Sequence, residues 1–152
     1  MIDPVVRRAV ADDAGSLAFL EAEARAALVD TRGGNRWLEE HPTITPGWDA
    51  AVAGRDVFVA VLMLAGHADV VVGYLVLDVD GPIARVDQVY VTPEARELGF
   101  GDALLELATE VARARGVVIL EGQALPGDRN TKNLYERAGI TARLITVSTR
   151  LA

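Results

Sequence analysis

The spacing of apolar and polar positions changes several times along the chain, and each change marks an element. Val5 to Val10 suits a short strand. Asp12 or Asp13 then caps a helix with Leu17, Leu20, Ala24, Ala27 and Leu28 on one stripe and Glu21, Glu23 and Arg25 off it. Thr31 to Trp37 breaks that period with two glycines and two arginines beside a tryptophan. It reads as a surface connection, with a cover over a bound molecule as the alternative. Trp37 to Glu40 suits a helical turn stopped by His41-Pro42. Thr45-Pro46 signals another short helix through about Val52, with threonine as cap and proline in the first position.

The middle of the chain alternates as strands do. Asp56 to Leu64 and Asp69 to Asp78 are β-rich runs joined across Gly66-His67-Ala68 as a hairpin, and Gly73 marks a bulge or a close backbone approach. Asp80-Gly81-Pro82 turns into a third run, Ile83 to Val91, which Thr92-Pro93 ends. A helix begins near Gly99. Asp102, Glu106, Thr109, Glu110 and Arg113 form its polar face, and Gly101, Leu104, Ala108, Val111 and Ala112 its apolar one. Val117 to Glu121 follows as a short buried strand. Because it comes after a strand-helix crossover, it should lie parallel to and beside the strand ending at Val91. Asp128 caps a last helix carrying Leu134, Tyr135 and Ala138 and closed by Gly139, and Arg143 to Thr149 alternates toward a final strand. No repeat or linker interrupts residues 1–152, which read as one domain.

Arg96-Glu97-Leu98-Gly99-Phe100-Gly101-Asp102 is the stretch with chemical content. The first N–H groups of a helix have no partner within it and carry partial positive charge. Gly99 and Gly101 let a phosphate approach the backbone, and Arg96 adds a charged donor. A dinucleotide fingerprint would need a third glycine where Leu104 stands, and a P-loop would need Gly-Lys-Ser/Thr. The plainer reading, in which the glycines only turn the chain into the helix, stays open.

With its flanks, this stretch resembles the GNAT superfamily of acyl-CoA N-acyltransferases. Arg96 to Gly101 is similar to that family's Arg/Gln-x-x-Gly-x-Gly/Ala loop. Val89-Tyr90-Val91-Thr92-Pro93-Glu94 resembles its fourth strand and exit, and Asn133-Leu134-Tyr135-Glu136-Arg137-Ala138-Gly139-Ile140 its second signature. The likeness covers roughly residues 56–150 and reaches the first 55 only through element order. It implies an α/β fold with a mixed, mostly antiparallel sheet of about six or seven strands. About four helices would flank the sheet, and the fourth and fifth strands would splay.

Net charge and composition narrow the partners. The net charge of −7 argues against general nucleic-acid binding and is compatible with a cationic substrate, although solubility alone accounts for it. The chain has no cysteine, hence no thiolate nucleophile, and only His41 and His67 as histidines, so no metal site is expected. There is no run of membrane-spanning length, and Met1-Ile2-Asp3-Pro4 lacks a signal-peptide layout; the chain reads as cytoplasmic. Coenzyme A, itself anionic, would need a local basic patch, for which Arg96, Arg129 and Lys132 are available.

The resemblance implies acetyl-CoA as co-substrate. The edge of Val89-Tyr90-Val91 would pair with the pantetheine arm, and the amides from about Leu98 to Asp102 would take the pyrophosphate. The N–H of Val89 or Val91 would serve as oxyanion donor, and Tyr135 as general acid toward sulfur. Packing against the sheet is the plain alternative for Tyr135. Two positions depart from the family pattern. Arg85 stands where a glutamate is often found, and Asp128 where an asparagine is, so Asp128 or Asn130 would contact pantetheine while Lys132 reaches a phosphate. By the period of two, Asp87 shares a strand face with Arg85 and Val89 and is the candidate base; Glu121 and Asp78 are weaker ones. The expected activity is N-acetylation of a primary amine, small or peptidic, by direct attack in a ternary complex. A degenerate acyl-CoA-binding domain and a protein lysine or N-terminal acetyltransferase are the alternatives. A homodimer through an exposed last strand is compatible with the pattern.

Overall fold

A computed structural model describes residues 3–152. One sheet of five strands runs in sequence order: β1 (Val5–Arg8), β2 (Asp56–Leu62), β3 (Val70–Asp80), β4 (Ile83–Val91) and β5 (Ile119–Gly122). The first four are antiparallel and β5 is parallel to β4. Five helices accompany them: α1 (Ala14–Leu28), α2 (Gly34–Glu40), α3 (Trp48–Gly54), α4 (Phe100–Ala114) and α5 (Arg129–Arg137). Among the described residues no helix is long and apolar enough to cross a membrane.

Strand alternation divides the core into two layers. Phe58, Leu75 and Leu77 point to one face and pack with Phe100, Leu104, Leu105 and Ala108 of α4 and with Leu134 and Tyr135 of α5. Val57, Val59, Tyr74 and Val76 point to the other and pack with Leu17 and Leu20 of α1 and Trp48 and Ala51 of α3. The apolar stripe expected on α4 is therefore the face that covers the sheet.

Five expectations change. Among the described residues the sheet has five strands rather than six or seven, and the helices number five rather than four, because Gly34 to Glu40 winds into a helix of its own. Arg143 to Thr149 joins no ladder; an alternating run becomes a strand only when an edge pairs with it, and none does here. The third helix starts at Trp48, after Gly47 and a cis Thr45–Pro46 bond, and the Thr45 hydroxyl donates to the Thr43 carbonyl instead of capping. Glu21, expected off the stripe of α1, is buried.

Gly73 proves to be both things considered for it. The register of β2 against β3 shifts beside it, and a Cβ there would lie 2.8 Å from the Tyr90 carbonyl oxygen. Glu21 is buried because donors from three segments converge on it. The Ile44 N–H (3.1 Å), Trp48 Nε1 (3.2 Å) and Gln88 Nε2 (2.8 Å) all donate to its carboxylate, and the Tyr74 hydroxyl donates to Gln88 Oε1 at 2.7 Å. This network ties α1 and α3 to β4. Replacing Glu21 with alanine leaves these buried donors unpaired and should lower stability by about 2–4 kcal/mol, whereas glutamine should recover part of the loss. Urea unfolding of the two variants measures this.

Candidate active site at the parting of β4 and β5

β4 and β5 pair over four rungs only, from Ile83–Ile119 to Val86–Gly122. Beyond that rung β4 continues alone through Asp87 to Val91, and its outer edge is open. Thr92 donates its N–H to Val72 of β3 at 2.8 Å. Backbone directions alternate along a strand, so Val91 and Val89 turn their N–H and C=O groups to the open edge. Arg96 Nε, which donates to the Val91 carbonyl at 3.0 Å, marks that edge.

The open edge forms one wall of a cleft of about 810 Å³, whose lining includes Val89, Tyr90, Val91, Arg96, Gly101 and Asn130. Its end is the loop into α4. Glu97 and Gly99 have positive φ (67° and 86°), which curls the backbone. None of the six N–H groups from Glu97 to Asp102 donates to a backbone or side-chain acceptor among the described residues. Curled, unpartnered amides at a helix start form an anion cradle. Arg96 and Arg129 stand in the same cleft without a salt bridge among the described residues, while Arg137, a residue the sequence reading did not assign, pairs with Asp102 at 3.0 Å. Six free donors and two unneutralised guanidinium groups fit a polyphosphate such as that of coenzyme A.

A smaller cavity of about 90 Å³ opens where β4 and β5 part, and Tyr135, Asp87, Val89, Asp128, Arg25 and Trp37 are among its walls. Tyr135 is 7% exposed. Burial, with the Asp128 carboxylate adding to it, pushes its phenol above the ordinary range and holds it protonated. Tyr90 is pushed up to about 12, first by burial and then by the Glu23 carboxylate. Trp37 stacks on His41 with ring centroids 4.3 Å apart, so the loop read mainly as a connection supplies a wall of this cavity.

The structure separates some residues that the sequence had grouped. The register of β3 against β4 shifts so that Val76 faces Gln88 while Leu77 faces Val86, and Asp87 is the extra residue of a bulge. Val86 and Val89 both pack toward α4, so the period of two breaks at Asp87 and the expected shared face of Asp87 and Val89 does not exist. The Asp87 carboxylate instead accepts from Arg55 at 3.0 Å, and Arg55 also holds Asp78 at 2.8 Å. Arg85 pairs with Glu121 at 3.1 Å. Asp128 caps α5, accepting from the Thr131 N–H (3.1 Å) and hydroxyl (2.7 Å). Lys132 lies outside both cavity walls, with its ammonium 3.8 Å from Glu136, and Leu98 contributes no side chain to the cleft.

Comparison with known proteins places this geometry. The signature of the acetyltransferase (GNAT) family matches residues 19–140. The chain belongs to the GNAT acetyltransferase family. A tetramutant of the BH1408 protein from Bacillus halodurans superposes with a TM-score of 0.72 at 18% identity, over 97% of this chain and 99% of that one. The ribosomal-protein-alanine N-acetyltransferase of Brucella melitensis biovar Abortus gives 0.66 at 19% identity, over 98% of each chain. The aminoglycoside N-acetyltransferase AAC(6')-Iy, in complex with the bisubstrate analogue CoA-S-monomethyl-acetylneamine, gives 0.62 at 15% identity, over 98% and 99%. No curated protein matches the sequence.

One residue of the site left no mark in the sequence. Gly122 sits on the last rung before the strands part, and a Cβ there would lie 2.2 Å from the Tyr135 hydroxyl oxygen and 2.5 Å from its Cζ. The tyrosine ring rests where a side chain would be. Gly122→Ala should cost about 1–3 kcal/mol through overpacking, and should cost far less when Tyr135 is already alanine. A double-mutant cycle in urea checks the coupling.

Proposed function

We propose that the protein is an acetyl-CoA-dependent N-acetyltransferase that transfers the acetyl group to a primary amine by direct attack, with both substrates bound together. The observation that carries the reading is the run of six unpartnered N–H groups at Glu97–Asp102, set at the end of a cleft whose wall is the unpaired edge of β4. Acetyl-CoA would supply an acyl carbon activated as a thioester and a thiol leaving group.

In this reading the Glu97–Asp102 amides, Arg96 and Arg129 bind the pyrophosphate. The open edge at Val89 and Val91 holds the pantetheine arm as an added strand, and the N–H of one of these valines donates to the carbonyl oxygen as it gains charge. Asn130 borders the arm, since Asp128 is committed to capping α5. Tyr135 donates its proton to the departing sulfur. Asp87 draws the ammonium of the acceptor into the small cavity and takes its proton through water. In this reading the acceptor binds between α1, α2 and the bulge, a position supported by the walls that Trp37 and Arg25 give the small cavity. The ion pair of Asp87 with Arg55 favours a second reading, in which coenzyme A binds without turnover.

Thiol release from acetyl-CoA across a panel of primary amines tests the proposal. Release that depends on an amine supports the enzyme; calorimetric binding without release under any amine supports the second reading; no binding contradicts both. With an active amine, Tyr135→Phe should lower kcat about 100-fold, at the low end for a lost general acid, and leave acetyl-CoA affinity within about two-fold. The raised phenol pKa keeps the donor form at every pH below its ordinary value of about 10. The rate should therefore rise with pH as the amine deprotonates and show no fall from tyrosine ionisation below pH ~10. A falling limb between pH 7 and 9 that disappears in Tyr135→Phe would contradict this.

A further inference from the structure

The small cavity beside Asp87 and Tyr135 holds a cation that no carboxylate neutralises. Three arginines are half-buried among the described residues: Arg25, Arg55 and Arg96. Arg55 is paired with Asp78 and Asp87, and Arg96 stands in the large cleft beside the amide cradle. Arg25, on α1, is a wall of the small cavity and makes no salt bridge among the described residues. Its guanidinium donates to the His41 carbonyl at 2.7 Å and to the Leu38 carbonyl at 3.4 Å. A guanidinium has five N–H donors, and the others of Arg25 have no acceptor among the described residues. Glu21, one turn earlier on α1, is committed to the donors of Ile44, Trp48 and Gln88.

The charges of this cavity are divided between its walls. Its acidic members are Asp87 on β4 and Asp128 at the cap of α5, and its cation is Arg25 on α1. Both signs reach the Tyr74 hydroxyl. Beyond the larger effects of burial, Glu21 and Tyr90, Asp87 raises its pKa and Arg25 lowers it. An acceptor with only an ammonium group would meet the acidic walls and also the repulsion of Arg25. An acceptor that carries a carboxylate as well has a partner for each. The cavity, about 90 Å³, is below the ~150 Å³ at which an apolar one takes a benzene ring, so the part of the acceptor that enters is short.

We propose that Arg25 is a specificity-determining residue that binds a carboxylate on the acceptor, so that the protein acetylates the amine of a small free amino acid. The proposal rests on the N-acetyltransferase reading given above. A planar guanidinium matches a carboxylate through paired N–H donors, and the two carbonyls at the end of α2 already hold this one in direction. The acceptor nitrogen bonds to the acetyl carbon as the carbon–sulfur bond breaks. Its proton leaves through water to Asp87, and Tyr135 protonates the sulfur. The products are an N-acetylamino acid and coenzyme A.

Thiol release is measured with glycine, L-alanine and β-alanine against their amides, which keep the shape and lose the charge. Rates are expressed per free-amine concentration, because acid and amide ionise differently. At least one acid should exceed its amide in kcat/KM by about tenfold or more, the scale of one charge-assisted contact. Arg25→Gln should bring that ratio to within about three-fold of unity, and Arg25→Lys should keep part of it. Because Arg25 also holds the end of α2, its loss can loosen the site, but a loosened site slows acid and amide alike and leaves the ratio unchanged. Amides accepted as well as acids, or an acid preference that survives Arg25→Gln, would overturn the proposal and leave the enzyme reading standing. Amides preferred to acids would point instead to a peptide N-terminus. No release with any primary amine would overturn the enzyme reading and the proposal with it.

Discussion

The site depends on the early parting of β4 and β5. Four rungs join them, and the fifth is missing because β4 bulges at Asp87 while β5 ends at Gly122. An unpaired strand edge inside a folded protein is normally costly, since its N–H and C=O groups need partners. Here the edge lines a cleft in which a strand-like ligand can supply them. The cost is local, and two well-packed core layers on either side of β3 and β4 hold the edge in place.

The bulge does a second thing. By adding one residue it turns Val89 and Val91 toward α4 and leaves Gln88 and Tyr90 on the opposite face. Gln88 joins the Glu21 network through its amide and its carbonyl, so the strand segment that borders the cleft is clamped from the α1 side. A ligand meeting this edge would find backbone groups already fixed in direction, which reduces the ordering cost of binding.

Much of this was legible in the sequence because local patterns carried it. The helix after the glycine loop, the cap at Asp128 and the parallel strand after the crossover each follow from short-range periodicity or turn chemistry, and the structure has all three. What was not legible involves partners distant along the chain. The bulge at Asp87 is set by the pairing of β3 with β4, so period-two counting put Asp87 and Val89 on one face, which the bulge separates. Glu21 looked solvent-facing because its donors, Ile44, Trp48 and Gln88, lie 23 to 67 residues away. Gly122 had no turn around it to draw attention, and only the position of Tyr135 explains it. Lys132, expected to reach a phosphate, is not among the residues that line the cleft, and its ammonium lies 3.8 Å from the Glu136 carboxylate.

The most direct test of the account is a backbone amide NMR titration with acetyl-CoA, using acetate and free adenosine as controls. The account predicts that the amides of Glu97 through Asp102 and the edge amides of Val89 and Val91 shift together with acetyl-CoA, while those of β1 and β2 stay still. It further predicts that exchange of the Val89 and Val91 amides with solvent slows in the complex as the edge gains a partner. Shifts confined to the loop, with the β4 edge exchanging as fast as before, would contradict the claim that the parting of the two strands is what receives the ligand.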